Sequence, residues 1–301
     1  MTRFFLTHPI PEVGMALLRA RGEVVHHPDA PRTAESIREG SRGADALVCM
    51  LTDAIDRDLI ETMDVRAIGT MAVGTNHIDL AAATRAGIPV VHTPGVLTEA
   101  SADLAWALLM AVARRTVEAD RFVRDDHFRG WEAMTLLGCD LYGKTLGIVG
   151  FGRIGQAVAR RAAGFGMKIL VHSRTPRPEV ERSLSARGVG LEELLEHSDI
   201  VSLHVPLTPE THRMMNEERI GRMRSTAILI NTARGEVVDE EALLSALQAG
   251  HLSGVGLDVF EGEPGPIDPR WMKAPRTTLS PHIGSATLGT RDDMALSLIH
   301  I

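Results

Sequence analysis

The stretch from Lys144 to Arg174 reads KTLGIVGFGRIGQAVARRAAGFGMKILVHSR. Leu146-Gly147-Ile148-Val149 is a short apolar run with β-branched residues, the pattern of a strand buried on both faces. Gly150-Phe151-Gly152-Arg153-Ile154-Gly155 follows as a G-x-G-x-x-G, and Gln156 to Ala163 spaces its apolar residues as a helix does. Gly164-Phe165-Gly166 stops that helix, and Met167 to His172 is a second strand. The three glycines of the turn have separate tasks. Gly150 bends the chain sharply out of the strand, Gly152 lacks the Cβ that would keep a pyrophosphate off the backbone, and Gly155 lets helix and strand close up. Phosphates at such a turn meet free N–H groups at the positive end of the helix dipole. The motif alone is weak. Flanked by a strand, a helix and a second strand, it predicts a dinucleotide site.

The end of the second strand says which dinucleotide. Roughly twenty residues past the glycines, an NAD site carries Asp or Glu for the ribose hydroxyls. Here the chain reads His172-Ser173-Arg174-Thr175-Pro176-Arg177, with no acid. Ser173 and Thr175 can donate to a phosphate, and Arg174 can grip one with two N–H groups. That pattern favours NADP and leaves NAD open.

Outward from this unit the same alternation repeats. Towards the N-terminus, Phe4-Phe5-Leu6, Glu23 to His26, Ala46 to Met50, Ala67 to Thr70 and Pro89 to His92 read as strands. Helices at Glu12 to Ala20, Thr33 to Gly40, Leu59 to Met63 and Leu80 to Ala86 lie between them. Towards the C-terminus, strands are expected at Asp199 to His204, Ala227 to Asn231 and Gly254 to Asp258, with helices at Leu191 to His197 and Glu240 to Ala249. Alternation of this kind means parallel α/β sheets. The expected fold is α/β with two doubly wound parallel-sheet domains. A flavodoxin-like substrate domain spans 1–98 plus 288–301, and a Rossmann cofactor domain spans 99–287. The helix opened by Thr98 to Ser101 and running to Ala113 is apolar nearly all round, which core packing or a dimer interface would explain. Phe128 to Tyr142 has weak periodicity and reads as an irregular arm, with Trp131 its one large aromatic besides the flanking rings.

Composition sets limits. A chain of 301 residues suggests two domains, and 44% hydrophobic with 24% charged residues is ordinary for a globular protein. A net charge of −7 gives no electrostatic case for nucleic acid. The two cysteines, Cys49 and Cys139, stand far apart and outside any metal spacing, so no metal site is expected, and reduced thiols fit a cytoplasmic protein. The N-terminus does not read as a signal peptide. The longest apolar run, Leu104 to Ala113, is about ten residues and too short to span a bilayer, so no membrane partner is expected.

In doubly wound sheets, ligands sit at the carboxyl ends of strands. Arg234-Gly235 follows the strand ending at Asn231, Glu261-Gly262-Glu263-Pro264 follows the strand ending at Asp258, and His282 follows Thr278-Leu279-Ser280-Pro281. A guanidinium, a carboxylate and an imidazole are what reduction of an α-keto acid requires.

At these residues the chain resembles the D-isomer-specific 2-hydroxyacid dehydrogenase family over nearly its whole length. The matching segments are Val73 to Asp79, Gly150 to Gly155, His204 to Thr208, Asn231 to Gly235, Gly256 to Phe260 and Pro281 to Thr287, in the family's order. Leu136 to Thr145, the following glycine unit and the His172-Ser173-Arg174 ending are most similar to glyoxylate/hydroxypyruvate reductases. The resemblance implies roles. Arg234 binds the substrate carboxylate, His282 acts as general acid towards the keto oxygen, and Glu263 orients His282 and favours its charged form. Val73, Gly74, Ser285 and Trp131 join the substrate. For Trp131, supply to the neighbouring subunit's site and an ordinary interface aromatic both stay open. Arg153 and Ile154 lie on the pyrophosphate with Gly150, Gly152 and Gly155. Val205, Pro206, Thr232, Asp258 and Gly284 line the nicotinamide side, and Thr98, Ala233 and His282 also bind the cofactor.

The implied activity is NAD(P)H-dependent reduction of glyoxylate and hydroxypyruvate, in a homodimer. Another dehydrogenase of the family, such as a phosphoglycerate dehydrogenase, and a nucleotide-sensing corepressor-like binding protein are the competing readings. The last residues, Met294 to Ile301, stop mid-pattern with neither cap nor glycine, which predicts a frayed end and weakened domain closure.

Overall fold

Aliphatic runs such as Leu47-Val48-Cys49 and Ile228-Leu229-Ile230 have no polar face to turn to water. They bury on both sides when helices cover a parallel sheet. A computed structural model describes residues 1–27 and 33–300. The chain falls into two units, Met1–Thr98 with Ser285–Ile301, and Glu99–Gly284.

The first unit holds β1 (Thr2–Leu6), β2 (Gly22–His26), β3 (Ala46–Cys49), β4 (Ala67–Thr70) and β5 (Val90–Val91). Their order is β2-β1-β3-β4-β5 with every pair parallel, the flavodoxin-like arrangement. Leu6, Leu47 and Ile68 are fully buried at its centre. Local signals set the helix limits. Thr33 and Ser36 form a capping box ahead of Ala34–Gly40. Asp79 accepts from the Ala82 N–H, and Gly87, at φ 69°, ends Leu80–Ala86.

The expected frayed C-terminus is corrected. Leu288–His300 is a continuous helix that buries Met294, Ala295 and Leu298. It packs closely because two partners lack side chains. A Cβ on Gly14 would lie 2.9 Å from that of Ala295, and one on Gly69 would lie 2.9 Å from Leu298 Cδ1. Caps are local signals worth about 1 kcal/mol, and an apolar face docked on a core outweighs a missing one.

The second unit holds β6 (Thr145–Val149), β7 (Lys168–His172), β8 (Ala186–Gly188), β9 (Ile200–Leu203), β10 (Ile228–Asn231), β11 (Gly254–Leu257) and β12 (Thr277–Leu279). All pairs are parallel in the order β12-β11-β10-β9-β6-β7-β8. The apolar helix Thr98–Ala113 is explained by packing. It buries Ala102, Ala105, Trp106, Leu109 and Val112, and Gly254 and Gly256 admit Val112 and Leu108 against the sheet. Trp106 stacks on Phe165 at 4.4 Å and donates its indole N–H to the Val158 carbonyl. Helices Thr116–Arg124 and Pro178–Ser183, which bury no residue at all, were not legible in the apolar pattern for that reason. Residues 128–142 form turns and irregular backbone, with Phe128, Trp131, Met134, Leu137 and Tyr142 exposed.

Among the described residues no helix is long and apolar enough to cross a membrane, and no cluster of three His, Cys, Asp or Glu could hold a metal ion.

His204, just past β9, donates its N–H to the Val149 carbonyl and sets Nε2 2.8 Å from Ser202 Oγ. Burial pushes its imidazole pKa down to about 4. An unfolded histidine titrates near 6.5, so the neutral ring stabilises the fold above that pH, and the contribution drains away as pH falls towards 4. Urea unfolding should therefore show the wild-type chain losing about 2 kcal/mol more than His204→Asn between pH 7 and pH 5. Equal losses in the two proteins would mean that the folded ring titrates normally.

Candidate active site

Strand order reverses at β6: β7 lies on one side of it and β9 on the other. Connections leaving in opposite directions open a crevice at the carboxyl ends of β6 and β9. The glycine turn fills that position. Gly150 has φ 97°, and a Cβ there would overlap the His204 carbonyl and approach Val205 Cγ1 to 2.9 Å. A Cβ on Gly155 would overlap the Gly150 carbonyl. Gly152 caps the helix Arg153–Gly164 in an extended conformation, and nothing lies within 4 Å of where its Cβ would be. The backbone is thus tight where the turn needs it and open where a phosphate would approach. Thr232 Oγ1, at the end of β10, is buried with no hydrogen-bond partner. An open cradle and an orphaned hydroxyl at the carboxyl ends of the strands fit a nicotinamide dinucleotide.

Beyond β7, Ser173 Oγ donates to the Thr175 carbonyl at 2.6 Å and closes the loop that carries Arg174. Arg174 is exposed. The Glu210 carboxyl is held below its usual range by the Thr208 hydroxyl and its own backbone, and also by the charge of Arg174.

The three chemistry-bearing side chains stand on one edge of this sheet, after β10, β11 and β12. Asn231 fixes the Arg234 loop by donating to the Arg234 carbonyl at 2.8 Å and accepting from the Ala233 N–H at 3.0 Å. Burial pulls the Arg234 guanidinium pKa down, while Glu236 and Glu263 pull it up. A guanidinium stays charged under any such shift, so Arg234 is a desolvated cation. Glu263 accepts from the Phe260 N–H through Oε1 at 2.7 Å and from His282 Nδ1 through Oε2 at 2.6 Å. With Nδ1 engaged, His282 Nε2 is left for a ligand. His282 sits at φ 53°, which is uncommon for a residue with a side chain. Asp258, 1% exposed, maintains that conformation. Its Oδ1 accepts from Ser280 Oγ and the Ile283 N–H, its Oδ2 from the Gly284 N–H, and its carbonyl from the His282 N–H. Burial raises the Asp258 carboxyl pKa, and these donors with the nearby imidazole lower it.

The sequence did not single out Glu240 or Trp271. Glu240 is 8% exposed and accepts from the Glu261 N–H at 2.6 Å and from Trp271 Nε1 at 2.9 Å. A glutamate at the start of a helix reads as a dipole partner, and no local signal marks it as buried.

Other expected site residues have their own local settings. In the first unit, His92 Nδ1 bonds the Val73 carbonyl at 2.9 Å, and the Val73 and Gly74 N–H groups take no hydrogen bond among the described residues. Thr98 opens its helix with its N–H on the Gly95 carbonyl, and Ser285 accepts from the Thr287 N–H. Trp131 stands 87% exposed on its arm.

The family model described as "D-isomer specific 2-hydroxyacid dehydrogenase, NAD binding domain" matches residues 106–284. A glyoxylate reductase of Korarchaeum cryptofilum is 51% identical over 296 residues, 97% of this chain and 89% of that protein. Among solved structures, a Thermus thermophilus protein superposes with a TM-score of 0.92 at 47% identity, covering 99% of this chain and 94% of the other. An NADPH-dependent glyoxylate/hydroxypyruvate reductase from Sinorhizobium meliloti, solved with NADP and malonate, gives a TM-score of 0.89 at 31% identity, covering 99% and 91%. Likeness of this extent in both sequence and backbone identifies the chain as a nicotinamide-dependent oxidoreductase that belongs to the D-isomer-specific 2-hydroxyacid dehydrogenase family.

Proposed function

We propose that the chain reduces glyoxylate, and hydroxypyruvate, to the 2-hydroxy acid with NADPH as the preferred cofactor. The observation that carries this reading is the 2.6 Å hydrogen bond between His282 Nδ1 and Glu263, which fixes the imidazole as a proton carrier beside a desolvated arginine. The Korarchaeum cryptofilum relative, a glyoxylate reductase, supports the substrate, and the absence of an acid at the end of β7 supports NADPH.

Arg234 pairs with the substrate carboxylate and draws electron density from the keto group. His282 donates its Nε2 proton to the keto oxygen as hydride reaches the carbon, so the carbonyl gains two electrons and two hydrogens. Glu263 holds the ring in place and balances its positive charge before transfer. In the oxidative direction the neutral ring takes the proton back. When bound, the nicotinamide supplies or accepts the hydride. Gly150, Gly152, Arg153, Ile154 and Gly155 would hold its pyrophosphate, and Ser173, Arg174 and Thr175 its 2′-phosphate. Val205, Pro206, Thr232, Asp258 and Gly284 would meet the nicotinamide, and Thr98 and Ala233 would also bind the cofactor. Val73 and Gly74 are assigned to the substrate carboxylate through backbone N–H groups, and Ser285 to the substrate. The exposed apolar side chains of residues 128–142 support a homodimer.

Replacing the proton carrier should lower kcat for glyoxylate by about a thousandfold in His282→Gln and by less in Glu263→Gln, followed as loss of NADPH absorbance. Wild-type turnover in His282→Gln would remove the residue from the mechanism. No turnover of any 2-keto acid by the wild-type chain, despite tight NADPH binding, would favour a binding protein.

Arg174→Asp should shift the ratio of kcat/KM for NADPH over NADH by at least about tenfold towards NADH, since the bidentate partner becomes a repulsive charge. An unchanged ratio would show that the 2′-phosphate contact lies elsewhere. Light scattering should give twice the chain mass; a monomer at all concentrations would leave the apolar arm without its assigned partner.

A further inference from the structure

One peptide group in the second unit lies between the Arg234 loop and the Glu240 helix, one residue from the N–H that holds Glu263. It joins Phe260 to Glu261, just after β11. A Cβ on Gly235 would overlap its carbonyl carbon, its oxygen and its nitrogen, so the backbone beside Arg234 rests directly on this peptide. The Phe260 N–H, one atom group upstream, donates to Glu263 Oε1, and Glu263 Oε2 in turn takes His282 Nδ1. The peptide's own N–H donates to Glu240 Oε1 at 2.6 Å. Glu240 is itself anchored: Oε2 accepts from the indole N–H of Trp271, which is 1% exposed. It stands at the first position of Glu240–Gln248, a helix whose Leu243, Leu244 and Leu247 lie in the core. A buried carboxylate that satisfies two donors costs desolvation, and a purely apolar residue would fill the volume more cheaply.

We propose that Glu240 is a positioning residue for proton transfer: by clamping the Phe260–Glu261 peptide it holds Glu263 against His282. Glu240 reaches neither substrate nor cofactor in this role. It acts through Glu263, so its effect exists only while Glu263 is a carboxylate bonded to His282. The inference rests on the reading of Glu263 and His282 given above.

Glu240→Gln is the variant of choice because it keeps volume. Glutamine offers one oxygen to two N–H donors, so in either amide orientation one donor faces another and one hydrogen bond is lost. With saturating NADPH and glyoxylate, Glu240→Gln should lower kcat about tenfold and leave KM for NADPH unchanged, the size expected from weakening one charge-assisted contact. Glu263→Gln should lower kcat further. The double variant should be no slower than Glu263→Gln alone, because the second change acts on a link already broken. Wild-type kcat in Glu240→Gln overturns the proposal. So does a double variant that loses both factors multiplied, which is what a merely structural glutamate would give. If His282→Gln turns over at the wild-type rate, the underlying reading fails instead, and the two failures are told apart within one set of assays.

Discussion

A parallel sheet whose strand order reverses at β6 imposes the constraint on which the second unit depends. Parallel strands all end on one edge, and every loop that follows a strand must leave from it. The glycine turn after β6, Arg234 after β10, Glu263 after β11 and His282 after β12 share that edge because no other exit exists. Their convergence is a property of topology before it is one of chemistry. The loops could still wander, and buried polar groups prevent it. Asn231 pins one loop and Asp258 another, while the Phe260–Glu261 peptide is held between Gly235 and Glu240.

These braces share an energetic logic. A buried carboxylate without partners is costly, and one that accepts several N–H and O–H bonds is tolerable and rigid. Asp258 accepts three such bonds with its two oxygens. The result is a His282 backbone held at positive φ, where a loop left to itself would rarely settle. Rigid strand ends then carry Arg234, Glu263 and His282, and the buried acids Asp258 and Glu240 brace the loops behind them.

Small residues do the complementary work of permitting approach. Gly150 and Gly155 allow strand, turn and helix to close on one another, while Gly152 leaves the space a phosphate would enter. In the first unit Gly14 and Gly69 allow Leu288–His300 to dock. Close packing of a helix on a sheet therefore recurs as a device in both units, once to shape a site and once to secure a chain end.

The alternation of strands and helices, the glycine turn and the helix caps were all legible from residue order, because backbone sterics, side-chain period and capping act within a few residues. The three side chains after the strands were legible as candidates for the same reason. Their meeting was not. Glu263 and His282 are 19 positions apart, and Glu240 and Trp271 are 31 apart. Those pairs exist because β11 and β12 register side by side and because helix Glu240–Gln248 packs under the edge. The expected fraying after Met294 failed on the same ground, since a missing cap is visible in sequence and a docking surface is not. By itself, then, the sequence determined the elements that bury an apolar face, the family and the kinds of chemistry available. The pairing of Glu263 with His282 came from the family resemblance and not from residue order; tertiary structure alone decided which carboxylate is buried beneath them and which helix is held, because burial and long-range contact depend on neighbours that local residue order does not contain.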